Sequence, residues 1–502
     1  MATKIPTEIL IKILNNNAKS SHDLYSSLLV NRFWCKVTIP ILWKLPLGQK
    51  YHQVGQPWKL KWSEKVWKKA LCIRTYISCM DTQARTLLTQ NGFDLSLSPP
   101  QATFDYPSFT HKFRFYNLAN FIYYSRKIIG SDNAIIKSRL LFREICKLII
   151  NRSTFLNSFK IQIVREYHCQ EILNSDLISS IMKLPGVPKV FKKLETFISA
   201  TRRHELTTPV YESFALICDN ILNMNLTFYS YSQVQLLEKL ISVQKRLENL
   251  SIINHSRRDN NFNFNSLLWA IISQKETLKS LRLKSVNFYH FKGKSLPIGL
   301  QELQIESCSG LYKLDCLILA SSFTQLSSFR LRHRFQHSYG VYPQEFIIKI
   351  LETANKNLKN IFLESNGKIL SDNMLSVILN YCTKVTKLTL PRLNLEQVIA
   401  IFNNNFNELR SFSFIYGKES DANKLLCQIA ESIPESLETI EIRMGIFSGD
   451  SLRKFFEGWC CNGGGGNKKM IVQHSAISDE HWKVIEEYQY RVQFEMLNYG
   501  FY

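Results

Sequence analysis

Long hydrophobic runs are missing from this chain. Nowhere in its 502 residues do about 18 apolar residues follow one another, so no membrane-spanning helix is encoded. A secretory leader is not expected either, because Lys4, Glu8 and Lys12 interrupt the first apolar residues. Twelve cysteines occur without one Cys-x-x-Cys pair, which removes the common zinc and dithiol frameworks. They read as reduced, mostly buried thiols of a cytoplasmic or nuclear protein. Cys460-Cys461 with His474 make a poor metal site, since adjacent cysteines do not converge easily on one tetrahedral ion. Catalytic signatures are equally scarce: no phosphate-binding Walker loop, no Gly-x-Ser-x-Gly, no His-Glu-x-x-His and no kinase motif. The glycine run Gly463–Gly466 lacks the strand before it and the acidic residue after it that a dinucleotide site needs, and reads as a slack loop. "HCQE" at His168–Glu171 has no Pro-Cys-x-x-Cys to complete a deaminase site. The expectation is a protein without catalytic residues, metal or cofactor.

Acidic side chains are also in deficit. Against 63 Lys and Arg stand 41 Asp and Glu, a net charge of +22. The excess is local: residues 247–443 carry 23 basic and 18 acidic side chains and residues 444–502 carry 6 and 7, which leaves +18 on the first 246. A basic scaffold binding nucleic acid through that half is one reading.

What the second half does have is a repeat. The pattern apolar-x-x-apolar-x-apolar recurs at "LENLSI" (Leu247), "LKSLRL" (Leu278), "LQELQI" (Leu300) and "LSSFRL" (Leu326). It continues at "LKNIFL" (Leu358), "VTKLTL" (Val385), "LRSFSF" (Leu409) and "LETIEI" (Leu437), with a mean spacing of about 27 residues. Fainter copies begin at Leu156, Leu194 and Asn467. A two-residue step between apolar positions places both on one face of a strand. The stretches between, such as "QEFIIKILETANKN", have helical spacing. Strand, turn, helix, turn, strand at this spacing describes a leucine-rich repeat, which is the expected unit. Its usual backbone-capping Asn or Cys is irregular: Cys308 and Asn366 fit the slot, Asn394 comes one residue late, and Val286, Arg334, Gly417 and Gly445 occupy it elsewhere.

At the other end, "KIPTEILIKILNNN" predicts a short helix started by Pro6 and ended by Asn15-Asn16-Asn17, with Ile9/Ile13 and Leu10/Leu14 as one-turn pairs. A second helix is expected from Ser21 or Asp23, pairing Leu24 with Leu28, Leu29 with Phe33 and Val30 with Trp34, until Pro40 breaks it. Ile41, Leu42 and Trp43 form a third short element. These residues resemble the F-box: Ile5-Pro6 in the Leu-Pro position, Glu8-Ile9-Leu10, Leu29-Val30 with Trp34, and the later Trp43. Arg74 to Phe109 is similar to the linker of large fungal F-box families, and "WKLKWSEKVWKKALCIRTYI" reads as a docking helix with Trp58, Trp62 and Val66 on one side. The resemblance implies a substrate-receptor subunit of a Skp–cullin–F-box ubiquitin ligase. Ile5, Pro6, Ile9, Leu10, Ile13, Leu29, Val30 and Trp34 would then divide between the F-box core and the face that docks on the Skp adaptor, with the cullin bound through it.

The expected fold class is α/β, with an all-α F-box over 1–47, a mostly helical connector over 48–150, and an irregular leucine-rich-repeat solenoid over 151–502, clearest at 247–443. Parallel strands would line its concave face and helices its convex one. On the concave strands Glu302, Gln304 and Glu306 would lie between Arg282/Lys284 and Arg330/Arg332, with Phe362 and Glu364 beyond. Such rows either neutralise one another across strands or read a protein substrate carrying both signs. Nucleic acid is the less favoured partner there, because phosphate tracking wants an unbroken basic stripe. An F-box protein working outside any ligase is a third reading.

Overall fold

The computed structural model describes residues 5–17, 21–45, 62–96, 101–129, 134–162, 171–201, 203–256, 264–292, 299–333, 342–365, 369–404, 406–416, 422–443, 447–461, 468–473 and 478–496. Trp58, His168, Arg334, Asn366, Gly417, Gly445, Gly463–Gly466, Asn467 and His474 lie outside them. The fold is α/β, with parallel strands laid side by side in chain order and helices between them. It divides into two compact units, Met1–Leu247 and Glu248–Tyr502. No helix among the described residues is long and apolar enough to cross a membrane.

The first unit opens with three short helices, α1 (Thr7–Asn17), α2 (Ser21–Leu28) and α3 (Arg32–Trp43). Leu10, Leu14 and Leu24 form their core, with Trp34, Val37, Ile41 and Leu42 packed against it. Two expectations fail here. Asn15–Asn17 belong to α1 rather than ending it, and the break in the following segment falls at Leu29-Val30, not at Pro40. Asn31 accounts for the second: its Oδ1 accepts the Trp34 N–H at 2.9 Å and starts a new helix. Pro40 is carried inside α3. The pairs Leu29/Phe33 and Val30/Trp34 therefore share no helix.

Next come α4 (Trp62–Ser78), α5 (Thr82–Gln90), α6 (Phe115–Ile129) and α7 (Ala134–Arg152). Strand β1 (Lys112–Arg114) lies inside the stretch expected to be a helical connector, so the ladder begins before residue 151. It pairs with β2 (Ser158–Gln162), and β3 (Thr196–Ala200) and β4 (Asn223–Phe228) follow. Helices α8 (Ser175–Met182), α9 (Val187–Phe191), α10 (His204–Ile217) and α11 (Tyr231–Ser242) separate or follow these strands.

One hydrogen-bond device begins the strands. Two successive N–H groups share a single carbonyl of the preceding turn: Asn157 and Ser158 on His111, Glu195 and Thr196 on Asn157, Leu222 and Asn223 on Glu195. The series starts with the carbonyl of Lys44, at the end of α3, which accepts from His111 and Lys112 at 3.2 and 3.0 Å. The end of the three-helix segment thus occupies the place of a missing first turn. Trp43 secures it, lying 4.5 Å from the ring of Tyr106 and 5.5 Å from that of Tyr76.

Behind β1–β3 the core is aromatic. Phe113, Phe159 and Phe197 stand in register, and Phe159 also meets Phe115 at 4.8 Å, Phe191 at 5.2 Å and Phe214 at 5.5 Å.

The second unit repeats the scheme with leucine. Its strands are β5 (Asn249–Asn254), β6 (Ser280–Lys284), β7 (Glu302–Glu306), β8 (Ser328–His333), β9 (Asn360–Ser365), β10 (Lys387–Leu393), β11 (Ser411–Tyr416), β12 (Thr439–Arg443), β13 (Lys468–Gln473) and β14 (Val492–Met496). Helix α12 (Asn265–Ser273) precedes β6, and α13 (Leu314–Ala320), α14 (Gln344–Ala354), α15 (Asp372–Tyr381) and α16 (Leu395–Asn403) precede β8–β11. Helices α17 (Ala422–Ser432), α18 (Gly449–Cys461) and α19 (Asp479–Tyr488) precede β12–β14. A continuous register runs from Leu250 through Leu281, Leu303, Phe329 and Ile361 to Met470 and Phe494. From Leu250 to Met470 these apolar positions are buried in the core, as the triads predict, and Phe494 at the end is partly exposed.

The shortest step, from Leu278 to Leu300, has no helix among its described residues. Ser285 and Ser307 repeat one left-handed turn at φ 55° and 51°. Gly310, at φ 78°, lies so close to Tyr289 that a Cβ there would stand 2.5 Å from its backbone nitrogen. Cys308 does cap this turn, its thiol donating to the Leu283 and Glu306 carbonyls at 3.5 Å. Asn394 has a different role, as the N-cap of α16 in a reciprocal pair with Gln397.

Phe159→Ala should lower the stability of the first unit by about 3–5 kcal/mol, since it removes the ring on which five others converge. Urea unfolding of the full chain checks this; a loss below about 1 kcal/mol would mean that the aromatic row is not the core of the unit.

Candidate functional site

The three-helix segment leaves a large apolar surface uncovered. On α1, Leu10 and Leu14 turn inward, so Ile9 and Ile13, one residue earlier in each turn, turn outward; Ile9 is 50 % exposed. Ile5 and Pro6 extend the same exposed surface. The turn between α2 and α3 displays Leu29 and Val30, 87 % and 56 % exposed, held out by N–H bonds to the Ser26 and Ser27 carbonyls. Tyr25 and Phe33 are exposed beside it. Of the eight residues expected to divide between core and adaptor face, six therefore reach solvent. Leu10 is wholly buried and Trp34 packs on the internal core, so these two hold the segment together rather than meet a partner.

On the sheet face of the second unit, opposite the apolar row, Ser251, Arg282, Gln304, Arg330 and Phe362 stand in register. The next row holds Ile253, Lys284, Glu306, Arg332 and Glu364. Its charges satisfy one another. Glu306, with only 7 % of its side chain exposed, accepts from Arg282 at 3.0 Å and Lys284 at 2.5 Å. Arg332 donates to Glu364 at 2.5 Å. Glu302 accepts from the Ser280 hydroxyl at 3.2 Å. Arg330 has no such partner among the described residues; its guanidinium lies 4.6 Å from the ring centre of Phe362. Phe362, Glu364, Thr389, Ser413, Ile415 and Arg443 line a small depression on the neighbouring strands. Arg443 in turn meets Glu441 at 3.1 Å. Arg282, Lys284 and Arg332 are thus each paired with a carboxylate of the next strand.

The corresponding face of the first unit differs. Arg114 on β1 and Lys160 on β2 are direct register partners and half-buried. Burial pulls the pKa of Arg114 below its ordinary value; burial, and then the charge of Arg114, does the same to Lys160. The row continues through Ile198 to Asn225, whose Oδ1 is buried and has no hydrogen-bond partner among the described residues. No expectation from sequence included these residues, because β1 is three residues long and the copies at Leu156 and Leu194 are faint.

Burial raises the thiols of Cys72, Cys218, Cys308, Cys316 and Cys382 to about 12, which keeps them protonated at neutral pH. Among the described residues no three His, Cys, Asp or Glu side chains gather as metal ligands.

Glu306 generates a pH prediction. Burial would raise its pKa, but the bonds from Lys284 and Arg282 outweigh it, and the carboxyl sits below its ordinary 4.5. A depressed folded pKa adds stability above the unfolded value, and that stability is lost as pH falls through the folded one. Glu306→Gln should thus cost about 2 kcal/mol at pH 7, with the gap to wild type closing as the pH falls below 4.5. A gap unchanged between pH 7 and acid, measured by denaturant titration, would show that the two cations do not hold this carboxylate. No protein-family model and no curated protein sequence matches this chain.

Proposed function

We propose that the chain is a non-catalytic substrate-receptor subunit of a Skp–cullin–F-box ubiquitin ligase, working in the cytoplasm or nucleus. The observation that carries the reading is the apolar surface of Ile5, Ile9, Ile13, Leu29 and Val30, on helices with a small core of their own. Surface of that composition marks a protein-binding face. On this reading α1–α3 are an F-box and the strand–helix units are leucine-rich repeats. The resemblance of Ile5-Pro6, Glu8-Ile9-Leu10 and Leu29-Val30 to the F-box pattern supplies the partner, a Skp adaptor. The anchoring of Lys44 and Trp43 supports a rigid link between the adaptor face and the first strands. Catalysis is then the ligase's, and the chain contributes proximity: a protein held on the sheet face meets the charged ubiquitin-conjugating enzyme at high effective concentration.

The nucleic-acid reading draws on the +18 of residues 1–246 and on the Arg114–Lys160 pair. A salt titration separates the two, because each phosphate contact adds about −0.9 to the slope of log K against log[salt].

Capture by a recombinant Skp adaptor tests the main reading. Ile9→Asp with Leu29→Asp should abolish capture, a loss of at least ~100-fold, while the circular dichroism and thermal midpoint stay unchanged because both side chains are exposed. Leu10→Ala should instead lower the thermal midpoint. Failure of the wild type to bind the adaptor removes the ligase reading.

A further inference from the structure

Arg114 and Lys160 are placed as a stability argument alone would not place them. Like charges directly opposite across a ladder repel, and among the described residues neither side chain has a carboxylate partner. In the second unit the comparable cations Arg282, Lys284 and Arg332 each have one. The remaining residues of the row add two further demands. Ile198 presents a partly exposed apolar side chain on the same face, and Asn225 Oδ1 is a buried acceptor without a donor among the described residues, which is costly until one reaches it. Across the strands the order is cation, cation, apolar, acceptor. From Lys160 to Asn225 is two strand spacings, ~9.6 Å, the reach of about three residues of extended chain.

We propose that this row binds an acidic segment of a partner protein: carboxylates on Arg114 and Lys160, an apolar side chain on Ile198, and an N–H or hydroxyl donated to Asn225 Oδ1. The proposal deepens the adaptor reading by naming the chemistry of the cargo, and rests on the sheet face being the cargo surface. A phosphodiester backbone satisfies the two cations but offers acceptors where Asn225 needs a donor, so the peptide is favoured over nucleic acid.

Fluorescence anisotropy on the full chain tests it with three labelled probes: a peptide of adjacent glutamates followed by leucine, the same peptide with glutamines, and an oligothymidylate. The acidic peptide should bind, and the glutamine peptide should bind at least ~10-fold more weakly, the equivalent of about 1.4 kcal/mol. Arg114→Gln with Lys160→Gln should cost at least the same factor without lowering the thermal midpoint, because it removes a repulsion and touches nothing in the aromatic core. Arg282→Gln should leave the affinity unaltered. No binding of the acidic peptide, or equal binding by the double variant or by the glutamine peptide, overturns the site. Tighter binding of the oligothymidylate through the same two residues overturns the choice of ligand. Adaptor capture on the same preparations separates the two proposals: a chain that binds the acidic peptide but never the adaptor keeps this site and loses the ligase reading, and the converse result does the opposite.

Discussion

The shared carbonyl at the start of the strands is the constraint on which the rest depends. In the first unit Lys44, His111, Asn157 and Glu195 each offer one oxygen to two successive N–H groups of the next turn. In the second unit the carbonyls from Glu248, accepting Lys279 and Ser280, to Arg410, accepting Glu438 and Thr439, do the same. A strand so started has its first residue fixed against the strand before, and with a side-chain period of two its faces are fixed as well. Each apolar triad then falls on its neighbour, and every residue between triads falls on the open face. The register that buries Phe159 over Phe113 is the one that brings Lys160 opposite Arg114. Core and surface chemistry are set by the same bond.

That bond also explains why the three N-terminal helices are more than an appendage. The Lys44 carbonyl takes the part of a repeat turn, and Trp43 fills the space between Tyr76 and Tyr106. Tyr76 and Tyr106 pack on Trp43 at the C-terminal end of α3, while Ile9, Ile13, Leu29 and Val30 at the other end of the segment stay exposed. Ile9 and Ile13 remain outward because Leu10 and Leu14 already fill the little core that three short helices can make.

The strands from β5 to β12 were legible in the sequence because their triads are built from Leu, Ile, Val and Phe. Others were not. β4 carries the same spacing in Ile221, Met224 and Leu226, 27 residues after Leu194 and 26 before Leu247, but asparagines around Met224 dilute it. β1 is too short for a period to show. The helix boundary at Asn31 was missed because Pro40 looked like the stronger signal, yet a side-chain cap starts a helix at Asn31 while Pro40 sits within one. Which of Ile9 and Leu10 faces the core depends on how three helices cross, and no single-helix pattern contains that. The pairing of Glu306 with both Arg282 and Lys284 follows from strand adjacency and was legible as one of two outcomes. The Arg114–Lys160 pair required the register of a strand that the pattern did not reveal.

The account's central claim is that the exposed apolar face of α1 and the Leu29-Val30 turn is covered by a Skp adaptor. Amide hydrogen exchange of the full chain, with and without the recombinant adaptor, measures this residue by residue. The account predicts new protection over residues 5–17 and 21–34, with the exchange of β5–β12 unaltered. Protection confined to the strands, or no change anywhere in the presence of saturating adaptor, would contradict it.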